Sequence, residues 1–493
     1  MAPARGRGRS AAAAWVVAAW FGAAPELFAA DELVLYRRTA GGVANFFVRG
    51  ADPGELVFLT TEDGLLPVPP IAADLSGGAC LQLPVAALPT EPMTVQAMVE
   101  GTSRGPQLSN RVLLRDPALL WMVVERADSS TLVQQFDAHQ RELVEVRRGP
   151  SRHDGALAAR GGAAFVKERH AIVALEDLSV RAFGPGEEPI DLALSADGSA
   201  LIALTREALR DGSGLLRARL LESGALGREL GAYEILRSES RLLSAWLLPA
   251  DDSHRVLVVE RGGWVHELVL DGGLSRGATL LPLAGGAREE LVDCAVLGDR
   301  LAVITRESAT RASGRLLLVD LTRRKPVRSF DLAERPLDLE LFPVDGAAEV
   351  AALVAVAGGG IERVGWTGGA RSTLHLPGAT LLARSADGTR CFAAADAPFG
   401  GVGLHRIDPA TLAVVHLPEF GPLERATDLG AFAADGRQWV WMVERRFLAT
   451  RPNSASVDDR LWCGAIDPAD DGIESTSVVV LPAGGMIRRV SAR

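Results

Sequence analysis

Acidic residues return at matching places along this chain. Four apolar runs are each preceded by a glutamate and an aspartate: Glu188 and Asp191, Glu290 and Asp293, Glu334 and Asp338, Glu424 and Asp428. Arg335 and Arg425 stand beside two of these pairs. Carboxylates brought together can coordinate a hard cation such as Ca2+, grip a basic or hydroxyl-rich ligand, or, with an arginine, perform general acid–base chemistry. A second set, Glu125-Arg126, Glu168-Arg169, Arg206-Glu207, Glu260-Arg261, Arg306-Glu307 and Glu444-Arg445, closes other apolar runs. Both sets have a plainer structural reading, in which each aspartate hydrogen-bonds the backbone of an adjacent sheet and each acid–arginine pair bridges neighbouring sheets. Electrostatics favours the plainer one, because carboxylates buried together disfavour each other's charge and surface ion pairs contribute only ~0–1 kcal/mol.

Whether far-separated acids meet depends on the elements that carry them. An aspartate turn recurs between short apolar runs at Phe136-Asp137, Leu270-Asp271, Val319-Asp320, Ile407-Asp408 and Ile466-Asp467, with weaker equivalents at Glu176-Asp177, Glu222-Ser223 and Thr367-Gly368. The copies lie about 40–60 residues apart, close to the period of a unit of four short strands. A second turn alternates with it: Ser195-Ala196-Asp197-Gly198, Pro343-Val344-Asp345-Gly346, Ser385-Ala386-Asp387-Gly388 and Ala434-Asp435-Gly436. Glycine accepts positive φ there, and the aspartate carboxylate can bond backbone two residues on. Detailed likeness between units indicates internal duplication. Thr205-Arg206-Glu207 with Ser213-Gly214 is repeated as Thr305-Arg306-Glu307 with Ser313-Gly314, and Trp121-Met122-Val123-Val124-Glu125-Arg126 as Trp441-Met442-Val443-Glu444-Arg445.

With these Ser-x-Asp-Gly turns and the later Ile407-Asp408-Pro409-Ala410-Thr411, residues 116–493 resemble the YVTN or WD40-like bacterial β-propellers. The resemblance implies an all-β ring of four-stranded blades. It does not imply one activity, since these families include binding scaffolds, translocation-associated proteins and some lactonase-like enzymes. Second strands near 118, 163, 200, 255, 300, 351, 390 and 438 predict eight blades, or seven if the compressed unit at 150–185 merges with a neighbour. The tail Gly485–Val490 is expected to pair into the first blade, closing the ring and removing two sheet edges. With strands labelled a to d from hub to rim, the aspartate turns share one face. The b–c and d–a connections, the recurring acids and a long loop at Arg446–Arg460 share the other. Asp191, Asp293, Asp338 and Asp428 would then ring the channel mouth, with Arg335 and Arg425 beside them.

Residues 31–115 lack the repeat and carry about six short alternating strands separated by Gly and Pro clusters, as at Asp52-Pro53-Gly54. Phe46 through Val57-Phe58-Leu59, with Leu108-Ser109-Asn110-Arg111-Val112, resembles the small Ig-like or fibronectin-like modules of secreted bacterial repeat proteins. Residues 1–30 read as an export signal, with Arg5, Arg7 and Arg9 before the apolar run Ala11–Ala24. No later run is long and apolar enough to cross a bilayer. A net charge of −10 argues against nucleic acid, whose binding needs a basic footprint. Cys80, Cys294, Cys391 and Cys463 are dispersed within apolar runs and read as free thiols.

The expected function is therefore a secreted or periplasmic non-enzymatic propeller that binds a protein, peptide or glycan through its d–a/b–c face and needs no cofactor. The alternative is a lactonase- or hydrolase-like enzyme using the channel-mouth carboxylates, with Ca2+ as the cation version. Other candidates are bland: His153-Asp154 reads as a solvent-facing loop, Asp467 with Asp470-Asp471-Gly472 as an acidic turn lacking a calcium loop's closing Glu. None of the eight histidines has the i, i+4 partner of a helical metal site.

Overall fold

The computed structural model describes residues 33–492 outside a set of short connections, the longer ones at 85–93, 150–156, 238–244 and 281–288. The export-signal reading of residues 1–30 falls outside the described residues. The chain divides into two compact units, Met1–Asp116 and Pro117–Arg493. In the first, Val34–Ala40, Val43–Arg49 and Ala79–Pro84 form one antiparallel sheet, and Leu56–Thr61 joins Thr94–Gly101 in a second. Leu35, Phe46, Val48 and Leu81 from one sheet share a core with Val57, Leu59, Val95, Ala97 and Val99 from the other. Alternation drives this packing, since every second residue of a strand faces the same side.

The second unit is a β-propeller. Its four-stranded antiparallel sheets number eight among the described residues. The a strands are Leu157–Arg160, Glu187–Leu194, Ala245–Pro249, Glu289–Leu297, Pro336–Val344, Leu381–Arg384 and Ala426–Ala434 in sheets two to eight. In the first sheet that place is taken by the C-terminal Met486–Ala492, paired with Leu119–Glu125 from Leu120↔Ala492 to Glu125↔Met486. Each a strand packs beside the next, and Met486–Ala492 touches both Ala426–Ala434 and Leu157–Arg160, so the ring closes. The unit at 150–185 keeps its own sheet, with Ala163–Glu168 as strand b.

Side-chain alternation explains why b strands read as unbroken apolar runs. In Leu119–Glu125, Leu120, Met122 and Val124 pack on Trp439, Trp441, Leu461 and Cys463 of the eighth sheet. The intervening Trp121 and Val123 pack on Leu157, Ala164 and Val166 of the second. A strand buried on both faces has no polar side to show. Each such side chain contributes roughly 1.5–3 kcal/mol, and a charge at Met122 or Val123 would have no solvent to face.

Both turn types form as their residues dictate. Asp408 Oδ1 accepts from Ala410 N at 2.8 Å and Thr411 N at 3.0 Å, and Asp320 Oδ1 from Arg323 N at 2.9 Å. The chain then passes through positive φ at Arg141, Arg324 and Leu412, four residues beyond Asp137, Asp320 and Asp408. In the a–b turn, Ser385 Oγ donates to Asp387 Oδ1 at 2.6 Å while Gly388 takes φ 75°. Residues 446–460 differ from expectation. They are not a loop, because strand b of the eighth sheet runs Arg437–Arg451 and strand c Ser454–Ile466, paired from Trp439↔Ala465 out to Arg451↔Ser454. Phe447 pairs with Val457 and Leu448 with Ser456, extending the ladder where a loop was expected.

Candidate functional site

The four aspartates occupy one position in four different a strands, and a β-bulge creates it. Pairing with strand b slips between Pro189 and Asp191, Leu291 and Asp293, Pro336 and Asp338, and Ala426 and Asp428. One extra residue, Ile190, Val292, Leu337 or Thr427, precedes each acid. Such a bulge re-aims the following side chain. Here it turns the carboxylate toward the next sheet. Asp191 Oδ2 accepts from Leu247 N at 2.7 Å, Asp293 Oδ2 from Leu339 N at 3.2 Å and Asp338 Oδ2 from Leu382 N at 2.7 Å, each an amide of the following a strand. Asp428 Oδ1 accepts from Leu429 N at 3.0 Å. At the closing seam the bond comes from strand c instead: Asp459, fully buried, takes Ile487 N at 2.8 Å and Arg445 through Nε and Nη2 at 3.0 and 2.9 Å.

Asp293 and Asp338 go further and meet. Leu339 N lies within hydrogen-bond distance of both carboxyl groups, which also share a hydrogen bond with each other. Burial raises the Asp293 pKa. Burial, the charge of Asp293 and the bond between the two push Asp338 well above the usual carboxylate range. Both shifts favour the protonated form of the acid, most strongly at Asp338. Burial, then the charges of Glu340 and Asp338, push the Cys391 thiol well up. Cys80, Cys294, Cys391 and Cys463 are all free thiols.

Arg335 and Arg425 contribute through their backbone, their carbonyls accepting from Ala357 N at 2.9 Å and Arg445 N at 2.8 Å. The Arg335 guanidinium is half-buried, with Nε lacking a hydrogen-bond partner, and Arg425 is exposed.

The described ion pairs of Glu125, Arg206, Arg306 and Arg445 tie strands within one sheet, where bridging between sheets was expected. Arg206 bonds Glu188 at 2.9 Å, and Arg306 bonds Glu290, each directly opposite its partner in the a–b ladder. Arg488 bonds Glu125, and Arg445 bonds Asp459 across b and c. Side chains opposite one another in a ladder stand about 5 Å apart, within reach without crossing to another sheet. Glu260 bonds His266 at 2.6 Å within the fourth sheet. Bridges between sheets come from other residues, Arg181 with Glu229 at 3.1 Å and Arg255 with Asp299 at 2.7 Å. The duplicated Thr-Arg-Glu motif encloses a further buried acid. Burial would push Glu187 up, but hydrogen bonds from Thr205 and Arg219 and the charges of Arg219 and Arg217 outweigh it and hold the carboxyl below its ordinary pKa.

On the b–c and d–a face two aromatic side chains stand out to solvent from adjacent sheets. Phe399, in the b–c turn of the seventh sheet, is 94% exposed, and Phe447, on the long hairpin of the eighth, is 53% exposed. Glu424 grips the hairpin's base, accepting from Phe447 N at 3.1 Å and Arg446 Nε at 3.4 Å. Among the described residues no group of three or more His, Cys, Asp or Glu is placed to hold a metal ion. His153, Asp154, Asp467, Asp470 and Asp471 lie outside the described residues.

No family model matches the chain, and no curated protein matches it. Solved structures similar to it include dihydro-heme d1 dehydrogenase NirN, at 17% identity over 74% of each chain and a TM-score of 0.48. A Bacteroides uniformis protein described as a 6-phosphogluconolactonase aligns at 12% identity over 77% of this chain and 100% of its own, TM-score 0.43. The Cps50 (Swd1) β-propeller domain of Myceliophteria thermophila aligns at 17% identity over 59% and 98%, TM-score 0.35. Strand pairing and ring closure make this chain a propeller; at these scores the likenesses decide nothing about what it does.

Proposed function

We propose that this chain is an exported, non-enzymatic β-propeller scaffold that binds a partner, a protein or peptide in preference to a glycan, through its b–c and d–a face. The observation that carries the reading is the eighth-sheet hairpin. Its strands run 15 and 13 residues, whereas strand b of the other sheets runs 6 to 9. It exposes Phe447 on the same face as Phe399 of the adjacent sheet, and exposed aromatic rings suit the centre of a protein interface. The aspartates support the same reading, because their oxygens accept backbone amides and are occupied with holding sheets together. Export rests on the basic and apolar pattern of residues 1–30. The N-terminal sandwich, of Ig-like kind, then serves as spacer or second contact. The test is capture from a native envelope fraction. A protein retained by wild type and by Val327→Glu on the rim, but lost with Phe399→Glu and Phe447→Glu, supports the proposal; capture indifferent to both Phe changes contradicts it.

A hydrolase reading has one observation in its favour, the contact between Asp293 and Asp338 with both carboxyls raised above their ordinary pKa, since such carboxyl pairs can act as acid and base. Lactone or ester hydrolysis by wild type that disappears in both Asp293→Asn and Asp338→Asn would establish it in place of the scaffold.

A further inference from the structure

At the rim of the seventh sheet His405 on strand c (Val402–Ile407) stands directly opposite His416 on strand d (Val414–Leu417), with ring centroids 4.9 Å apart. We propose that this pair is a binding site for a borderline-soft divalent cation, Zn2+ or Cu2+, with water completing the coordination. Two imidazoles on one tetrahedral ion, with metal–nitrogen bonds of about 2.0–2.1 Å and ring centres about 1.1 Å behind the nitrogens, place their centroids about 5 Å apart. The observed separation meets that figure without movement of either strand.

Three further features prepare the pair. His405 Nε2 lies 3.0 Å from the carbonyl oxygen of Asp396, which can only accept, so Nε2 carries the proton and Nδ1 keeps its lone pair. Metal-binding histidines are oriented in this way, the second nitrogen held by a carbonyl or carboxylate. His416 Nδ1 is buried and has no hydrogen-bond partner, a cost that a bound cation removes. His416 also sits in a seat made for it: a Cβ at Gly403 would lie 2.8 Å from its Cε1 and 3.1 Å from the Ala397 Cβ, so any larger residue at 403 displaces the ring or the turn. Because His405 is tied to Asp396 at the start of the turn that carries Phe399, an ion here would clamp strands c and d and stiffen that turn.

The experiment is calorimetric titration of the full chain, free of any affinity tag, with Zn2+ and with Cu2+ in a non-coordinating buffer. Wild type is expected to bind one equivalent. His416→Gln, a half-buried position that tolerates an amide, should bind at least tenfold more weakly, and Gly403→Ala, which keeps both imidazoles but moves one, should also lose affinity. A copper EPR spectrum of wild type gives an independent readout that needs no variant, with coupling to two nitrogens expected at one equivalent. Equal affinity in wild type and His416→Gln, or a copper spectrum without two-nitrogen coupling, overturns the proposal.

Discussion

Asp459→Ala should open the ring at its seam. Asp459 is fully buried and makes three bonds: a two-point contact with Arg445, which is mostly buried itself, and one with the amide of Ile487 in the closing strand. Alanine leaves the Arg445 charge unpaired in a site built to neutralise it. Breaking a buried ion pair from one side costs about 3–5 kcal/mol, and the stranded Ile487 N–H belongs to that loss. Asp459→Asn keeps an oxygen for Ile487 N and surrenders the charge, so its loss should be smaller. The assay is urea unfolding of both variants against wild type, paired with limited proteolysis read at the C-terminus. Cleavage near 482–485 should accelerate in Asp459→Ala, because the loss leaves Met486–Ala492 to its ladder with Leu119–Glu125, the Arg488–Glu125 ion pair and packing of Ile487 and Val490. A loss below about 1 kcal/mol, or a closing strand as protected as in wild type, would refute the reasoning that this carboxylate secures closure.

Two further outcomes are expected. Asp293 and Asp338 have pKa values raised in the folded state, so the native protein holds more protons than the unfolded chain; the stabilisation is complete below the ordinary carboxylate range and is lost as pH rises through the raised pKa values. Asp338→Asn mimics the protonated acid, and its melting temperature should exceed that of wild type on the alkaline side and flatten the pH profile, whereas a profile unchanged by the substitution contradicts the raised Asp338 pKa. Gly77 has φ 74°, and a Cβ there would come within 2.4 Å of the Ala51 carbonyl oxygen, so Gly77→Ala should destabilise the N-terminal unit by about 1 kcal/mol or more. Hydrogen exchange should then increase in residues 33–113 and stay unchanged in the propeller.

The propeller was legible because its information is local. Turn residues and paired apolar runs lie within a few positions of each other, so the eight b strands and the C-terminal partner of the first sheet could be placed from the chain itself. The site was less legible because it depends on register. Whether Asp191 or Asp338 points into the channel or to the next sheet is decided by a single-residue bulge, which leaves no mark in composition. The acid–arginine pairs were assigned across sheets because their sequence neighbours are visible and their ladder partners, Glu188, Glu290 and Asp459, are not. His405 and His416 escaped notice for the same reason: a spacing of 11 residues makes no helical metal site but, across a hairpin turning at Asp408, sets the two residues directly opposite each other. Only the repeated acid before each apolar run hinted that the a strands share a special position.

The central claim is that Asp191, Asp293 and Asp338 are staples between sheets and do not form a cation or substrate ring. Thermal melting of wild type and of the Asp293→Asn, Asp338→Asn double variant, with and without millimolar Ca2+, tests it most directly. The account predicts a wild-type melting temperature indifferent to Ca2+ and a double variant that still folds, with its amide oxygens accepting Leu339 N and Leu382 N. A wild-type melting temperature that rises with Ca2+, and no longer rises in the double variant, would contradict it.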